Sequence, residues 1–127
     1  MNLLIDSHVL LWWWNEQSKL SPVAAQEILS PENRIYVSAA VAWELAIKVN
    51  LGKLRARHVV SDLTRLLSEE GFHRLAISTD HAVRAGMLPR YHRDPFDRML
   101  VAQAQALNAP IVSADKVLDS YGVQRIW

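Results

Sequence analysis

The sequence predicts an α/β sandwich built around a mainly parallel sheet, and three observations carry that reading. The chain opens on the short apolar run Asn2-Leu3-Leu4-Ile5, which ends in Asp6 and is too short for a helix but suits a buried strand. Short apolar runs recur at Ile35-Tyr36-Val37, Leu75-Ala76-Ile77 and Ile111-Val112, and Val123 to Ile126 reads as a last strand. Between them lie longer stretches with helical spacing, and strands alternating with helices build parallel sheets under helical layers. Ligands of such sheets bind outside the carboxyl ends of the strands. Asp6 stands at one of those ends.

Composition bounds the answer. A chain of 127 residues fits one domain, taken here as residues 1–127, and its 50% hydrophobic content is enough for a core. The net charge of +1 creates no bulk field that demands nucleic acid. The absence of cysteine excludes a disulfide framework and a thiolate metal site, in keeping with a cytoplasmic protein. No signal peptide is read at the N-terminus. The longest apolar run, Val9 to Trp14, falls far short of the ~20 residues a membrane span needs.

The elements follow in order. Ser7 is the expected N-cap of a helix over 8–16, apolar nearly all round through Val9, Leu10, Leu11, Trp12, Trp13 and Trp14. A turn over Ser18 to Pro22 leads to a helix capped by Ser21, started by Pro22 and running to about Leu29. Ser30 to Asn33 breaks it, and strand Ile35 to Val37 follows. Ser38 caps a long helix from Ala39 to about Asn50, stopped by Leu51-Gly52. Residues 59–69 form an amphipathic helix with Val59, Leu63, Leu66 and Leu67 inward. After the strand at Leu75 to Ile77, Ser78 or Thr79 caps a helix to about Leu88, and Pro89 to Arg93 is a polar loop. Asp94-Pro95 opens a helix to about Leu107 with Phe96, Met99, Leu100, Ala104 and Leu107 on one stripe. Strand Ile111-Val112, a helical turn over Asp115 to Ser120 and the strand Val123 to Ile126 complete the chain.

Four carboxylates stand out. Asp6 and Asp115 both follow strands at their carboxyl ends, although each also suits a cap or turn. Glu44 is the only charged residue between Arg34 and Lys48, in a helix otherwise rich in apolar residues, where an unpaired carboxylate is costly to bury. The plainer alternative is a surface pair with Lys48 one turn on. Asp97 falls at the third position of its helix, favoured by the dipole and placed to look over the end of the sheet, whereas capping accounts for Asp94. Several carboxylates at one edge repel each other and raise their pKa values, a penalty that a divalent cation removes. All-oxygen ligands suit a hard metal such as Mg²⁺ or Mn²⁺.

Asp6-Ser7 after its strand, Ala42-Trp43-Glu44, Asp94-Pro95-Phe96-Asp97-Arg98 and Ser113-Ala114-Asp115-Lys116 resemble, in this order along the whole chain, the motifs of PIN-domain nucleases. Within that family the chain looks most like the VapC toxins of bacterial toxin–antitoxin pairs, with the closest similarity in Leu10-Leu11-Trp12 and in His92 to Arg98. The resemblance implies a three-layer sandwich and a metal-dependent endoribonuclease that cuts RNA. It implies Asp6, Glu44, Asp97 and Asp115 as the catalytic, metal-binding acids, with Ser7, Asp94 and Ser113 supporting them. It also implies a homodimer held inactive by a cognate antitoxin.

An RNA substrate calls for positive charge near the acids. Arg90, His92, Arg93 and Arg98, with Arg84 nearby, flank Asp94 and Asp97 and are read as RNA-binding. Lys53, Arg55, Arg57 and His58 form a second basic stretch that reads equally well as a solvated face. Trp12, Trp13 and Trp14 cover so much of their helix that at least one is expected to point away from the core. With the helix ending at Leu29 they form the expected groove for an antitoxin segment or a second copy. Two other readings stay open: a phosphoryl-transfer domain with Asp6 as acceptor, and a non-catalytic partner-binding module.

Overall fold

The computed structural model describes residues 1–127. Strands β1 (Asn2–Ile5), β2 (Arg34–Ser38), β3 (His73–Leu75), β4 (Ile111–Val112) and β5 (Arg125–Ile126) form one sheet in the order β3-β2-β1-β4-β5, with every neighbouring pair parallel. Helices α1 (Ser7–Asn15), α2 (Pro22–Leu29), α3 (Ala39–Asn50), α4 (Arg57–Ser61), α5 (Leu63–Glu70), α6 (Thr79–Met87) and α7 (Pro95–Leu107) connect and flank the strands. The expected α/β sandwich is therefore present, and its sheet is wholly parallel. No helix is long and apolar enough to cross a membrane.

The core explains the strand pattern. Leu3, Leu4 and Ile5 of β1 and Ile111 and Val112 of β4 are fully buried, with Val9 and Leu10 of α1, Leu45 of α3 and Leu100, Val101 and Ala104 of α7 packed into the same cluster. Strands covered on both faces read as continuous apolar runs. The chain builds β1, β2 and β3 outward on one side, then returns to lay β4 and β5 on the other. The direction reverses between β1 and β4, and a crevice at such a switch point is where open parallel sheets hold ligands. Ile5 is in register with Val112, so Asp6 and Ser113 leave the sheet side by side.

Several boundaries differ from expectation for physical reasons. Asp6, not Ser7, caps α1: its backbone is extended (φ −82°, ψ 172°) and Oδ1 accepts the Val9 N–H at 2.8 Å, while Ser7 lies buried in the first turn. The helix expected over 59–69 is two helices that break at Asp62 (φ −111°, ψ 14°), with Val59, Leu63 and Leu67 still buried. β3 lies two residues before the expected run because it pairs with β2 through Tyr36–His73 and Ser38–Leu75; it is an edge strand with exposed side chains, so no apolar run marks it. Ser78, not Thr79, caps α6, in a capping box where His81 Nδ1 accepts the Ser78 N–H at 3.1 Å. The last strand shrinks to Arg125–Ile126, and Leu107 of the α7 stripe is 38% exposed.

Trp12, Trp13 and Trp14 are each half-buried, so none stands free of the protein as expected. Trp12 meets Trp127 at 5.8 Å between ring centroids, Trp13 meets Phe72 at 6.4 Å, and Trp14 Nε1 donates to Glu70 Oε1 at 3.1 Å. The far side of α1 is covered by Trp127 at the C-terminus, by Glu70 at the end of α5 and by Phe72 just beyond it. The tryptophan that does stand out is Trp43, 62% exposed and edge-on to Phe96.

Candidate active site

Local rules place each acid. Asp6 ends β1 and turns into α1 as its cap, so its carboxylate is fixed by the first turn of that helix. Its Oδ2 accepts a short hydrogen bond from the Ser113 hydroxyl, which follows β4 and is fully buried. Ser113 Oγ in turn accepts the Asp115 N–H at 3.1 Å. Asp115 then caps the 3₁₀ turn Lys116–Tyr121, its Oδ1 accepting the Val117 N–H at 3.0 Å. Asp94 caps α7, accepting the Phe96 N–H at 2.8 Å, and Asp97 is in that helix's first turn.

Asp6, Asp97 and Asp115 line one opening of about 350 Å³ together with His8, Trp12 and Ala114. His92 joins them: its Nε2 lies 2.8 Å from Asp115 Oδ2 and 3.0 Å from Asp97 Oδ2. One ligand atom each from His92, Asp97 and Asp115 falls within 4.8 Å of the others. Glu44 is buried and its Oε2 pairs with Lys48 Nζ at 2.6 Å, so the pair weighed as a surface contact exists, with its carboxylate inside. That hydrogen bond raises the Lys48 pKa, to which the charges of Asp94 and Asp97 also contribute.

The electrostatics are those of crowded, partly dry carboxylates. Burial raises the Asp6 pKa, opposed by the hydrogen bonds from Ser113 and Val9. Asp97 is pushed up to about 7, first by burial and then by the Asp94 charge, with His92 pulling the other way and Asp6 and Glu44 adding to the rise. Such groups resist sharing a site as anions. The donor set of carboxylate oxygens suits a hard divalent cation, which would relieve that resistance.

The basic residues divide. Arg90, His92, Arg93 and Arg98, with Gly86, line a hollow of about 680 Å³ that no hydrophobic residue borders. Arg90 and Arg93 are exposed. The Arg98 guanidinium is turned inward, donating to the carbonyls of Ala85, Gly86 and Leu88 from Nη2 and of Pro89 from Nη1 at 3.0–3.4 Å. It satisfies the carbonyls that α6 leaves unpaired at its end. Arg98→Ala is therefore expected to lower stability by ~2 kcal/mol, the scale of hydrogen bonds to a charged group, as read by urea unfolding. An unchanged midpoint would return Arg98 to the pool of residues free to meet phosphate. Lys53, Arg55, Arg57 and His58 all lie exposed after α3.

Sequence reasoning missed Tyr121. Its hydroxyl accepts the His92 N–H at 2.8 Å and donates to Pro89 O at 2.8 Å, and no local pattern marks a contact across 29 residues. It also took His92 for a phosphate contact, since its carboxylate neighbours come from two separate segments.

A family model described as PIN domain matches residues 3–124. Ribonuclease VapC22 of Mycobacterium tuberculosis is 31% identical over 121 residues, covering 94% of this chain and 91% of that protein. Among solved structures, VapBC2 of Rickettsia felis bound to a DNA fragment from its promoter superposes with a TM-score of 0.72 at 19% identity, covering 98% of this chain and 97% of that one. FitAcB of Neisseria gonorrhoeae gives 0.64 at 19% identity over 97% and 95% of the two chains. VapBC-1 of nontypeable Haemophilus influenzae gives 0.65 at 17% identity over 98% and 96%.

Proposed function

Because the chain belongs to the PIN-domain family, we propose that it is the ribonuclease toxin of a toxin–antitoxin pair and that it hydrolyses RNA phosphodiester bonds with Mg²⁺ or Mn²⁺. The observation that supports this most is the meeting of Asp6, Asp97 and Asp115 at one opening on the β1/β4 switch point. These three acids are the residues that would hold the cation, with Glu44 and its partner Lys48 behind them. A bound divalent cation would supply Lewis acidity toward the phosphate and lower the pKa of a water.

The chain's own residues supply the frame. Asp6 and Asp115 are each tied to a backbone N–H and to a side-chain donor, so neither needs to reorganise to meet a ligand. Arg90 and Arg93 stand exposed beside His92 and would draw the RNA backbone to the acids. Ser113 is fully buried, so its hydroxyl is out of reach of a substrate as a nucleophile.

The test is incubation of the purified chain with mixed RNA, with and without Mg²⁺ or Mn²⁺, beside Asp6→Asn. Cleavage by the wild type alone, and only with cation, is the expected result. Cleavage that survives EDTA or the substitution overturns the reading. Asp94→Ala in the same assay is expected to keep cleaving while losing ~1 kcal/mol of stability, since its carboxylate is an N-cap. An inactive Asp94→Ala of wild-type stability would give that residue a chemical role.

The proposal includes an antitoxin and a second copy of the chain as protein partners. The VapBC neighbours support the antitoxin, and Val23 and Leu29 on α2 are 51% and 68% exposed. Alanine substitution at Trp12, Trp13 and Trp14, read by co-purification with the adjacent gene's product and by melting, checks the antitoxin contact. Each variant is expected to melt lower because its ring packs on the core, and at least one is expected to lose the partner while still folded; sedimentation checks the dimer.

A further inference from the structure

His92 sits where a cation ligand or a phosphate contact would be expected, yet its hydrogen bonds say otherwise. The backbone N–H of Asp94 points at Nδ1 at 3.1 Å. A backbone N–H only donates, so Nδ1 is an acceptor and the ring proton is on Nε2. That nitrogen faces Asp115 Oδ2 at 2.8 Å and Asp97 Oδ2 at 3.0 Å, so its N–H is shared between the two carboxylates. A metal ligand needs a lone pair at the position where this ring carries a proton. The backbone that carries the ring is held by Tyr121, whose hydroxyl accepts the His92 backbone N–H and donates to Pro89 O, both at 2.8 Å.

We propose that His92 is a positioning residue: its Nε2–H clamps Asp97 of α7 to Asp115 after β4, and the Tyr121 hydroxyl holds the clamp in place. The arrangement ties together two acids that arrive from separate elements. Tyr121 ends the 3₁₀ turn that Asp115 begins, so the segment carrying Asp115 also anchors the loop carrying His92. A carboxylate has about four lone-pair sites, so the shared N–H, with the Val117 N–H on Asp115 Oδ1, still leaves sites open to a cation. Donors of this kind orient the ligands of metal sites, and losing one typically costs about 10–100-fold in metal affinity or activity. This inference rests on the reading that the acids hold a divalent cation.

The experiment is proton–nitrogen NMR of the His92 ring in the full chain, cation-free and with Mg²⁺, combined with Mn²⁺ titration calorimetry of the wild type, His92→Ala, His92→Gln and Tyr121→Phe. The proton is expected on Nε2 in both states. His92→Ala is expected to bind Mn²⁺ ~10-fold more weakly or worse. His92→Gln, whose amide can still donate, is expected to recover most of that loss. Tyr121→Phe keeps the ring but loses both hydrogen bonds of the hydroxyl, so it is expected to melt slightly lower, to broaden the His92 ring signals and to weaken Mn²⁺ a few-fold. Loss of the Nε2 proton on adding Mg²⁺ makes His92 a ligand and overturns the proposal. So does His92→Ala binding Mn²⁺ like the wild type, or His92→Gln behaving like His92→Ala. If the wild type binds no Mn²⁺, the cation reading fails separately, and the Nε2 proton with its dependence on Tyr121 still decides the clamp.

Discussion

Asp97→Asn is expected to abolish RNA cleavage and, in the cation-free protein, to increase stability above neutral pH. The two effects share one cause. The Asp97 carboxyl is raised from its ordinary 3.8 to about 7, chiefly by burial and then by the Asp94 charge. The folded state therefore keeps a proton that the unfolded state releases, and stability falls as pH rises through that interval. The contribution is fully present below about 3.8 and gone above about 7. At pH 8 the wild type carries the whole cost of an ionised Asp97, and the amide carries none. At about 1.4 kcal/mol per unit, discounted because the side chain still meets solvent, the variant is expected to gain ~2 kcal/mol. Urea unfolding at pH 5 and pH 8 without cation measures it, and the gain should shrink at pH 5. Mg²⁺ should restore the wild type at pH 8 and do little for the variant. Cleavage should fall at least ~100-fold, since a held cation contributes several kcal/mol to phosphoryl chemistry. A variant no more stable than the wild type at pH 8 would contradict the crowding of acids around Asp97.

Ser113→Ala is the second large effect. The hydroxyl is fully buried and donates to Asp6, itself only 5% exposed. Without it, Asp6 Oδ2 loses its donor inside the protein, at a cost of ~1–3 kcal/mol for an unsatisfied buried group. The Ser113 hydrogen bond is also the strongest influence holding the Asp6 pKa down against burial. Its loss raises that pKa further, so the destabilisation should grow as pH rises and Asp6 is forced to ionise. Cleavage should fall as well, because this one hydroxyl donates to the Asp6 carboxylate and its oxygen accepts the Asp115 backbone N–H. Equal losses of stability at pH 5 and pH 8 would show that the hydroxyl does not tune Asp6.

Much of the site is written in local patterns. β1 followed by Asp6, the Asp94-Pro95 start of α7 and β4 leading to Asp115 each announce themselves, because a strand buried on both faces is an unbroken apolar run and helix starts depend on neighbouring residues. What stays hidden depends on which strands become neighbours. The order β3-β2-β1-β4-β5 puts Asp6 beside Ser113 across 107 residues, and nothing local marks that pairing. Arg98 reads as a phosphate contact until the end of α6 is seen to need its guanidinium. β3 escapes notice because an edge strand does not have to be apolar. The α1 tryptophans look free because the residues that cover them, Phe72, Glu70 and Trp127, lie far along the chain.

The central claim is that Asp6, Asp97 and Asp115 share one divalent cation. Its most direct test is anomalous diffraction from crystals of the wild type soaked in Mn²⁺. The account predicts one strong peak at the β1/β4 switch point, about 2 Å from carboxylate oxygens of these acids. The same soak of Asp97→Asn should lose it. A peak elsewhere, or carboxylates left uncoordinated at saturating Mn²⁺, would contradict it.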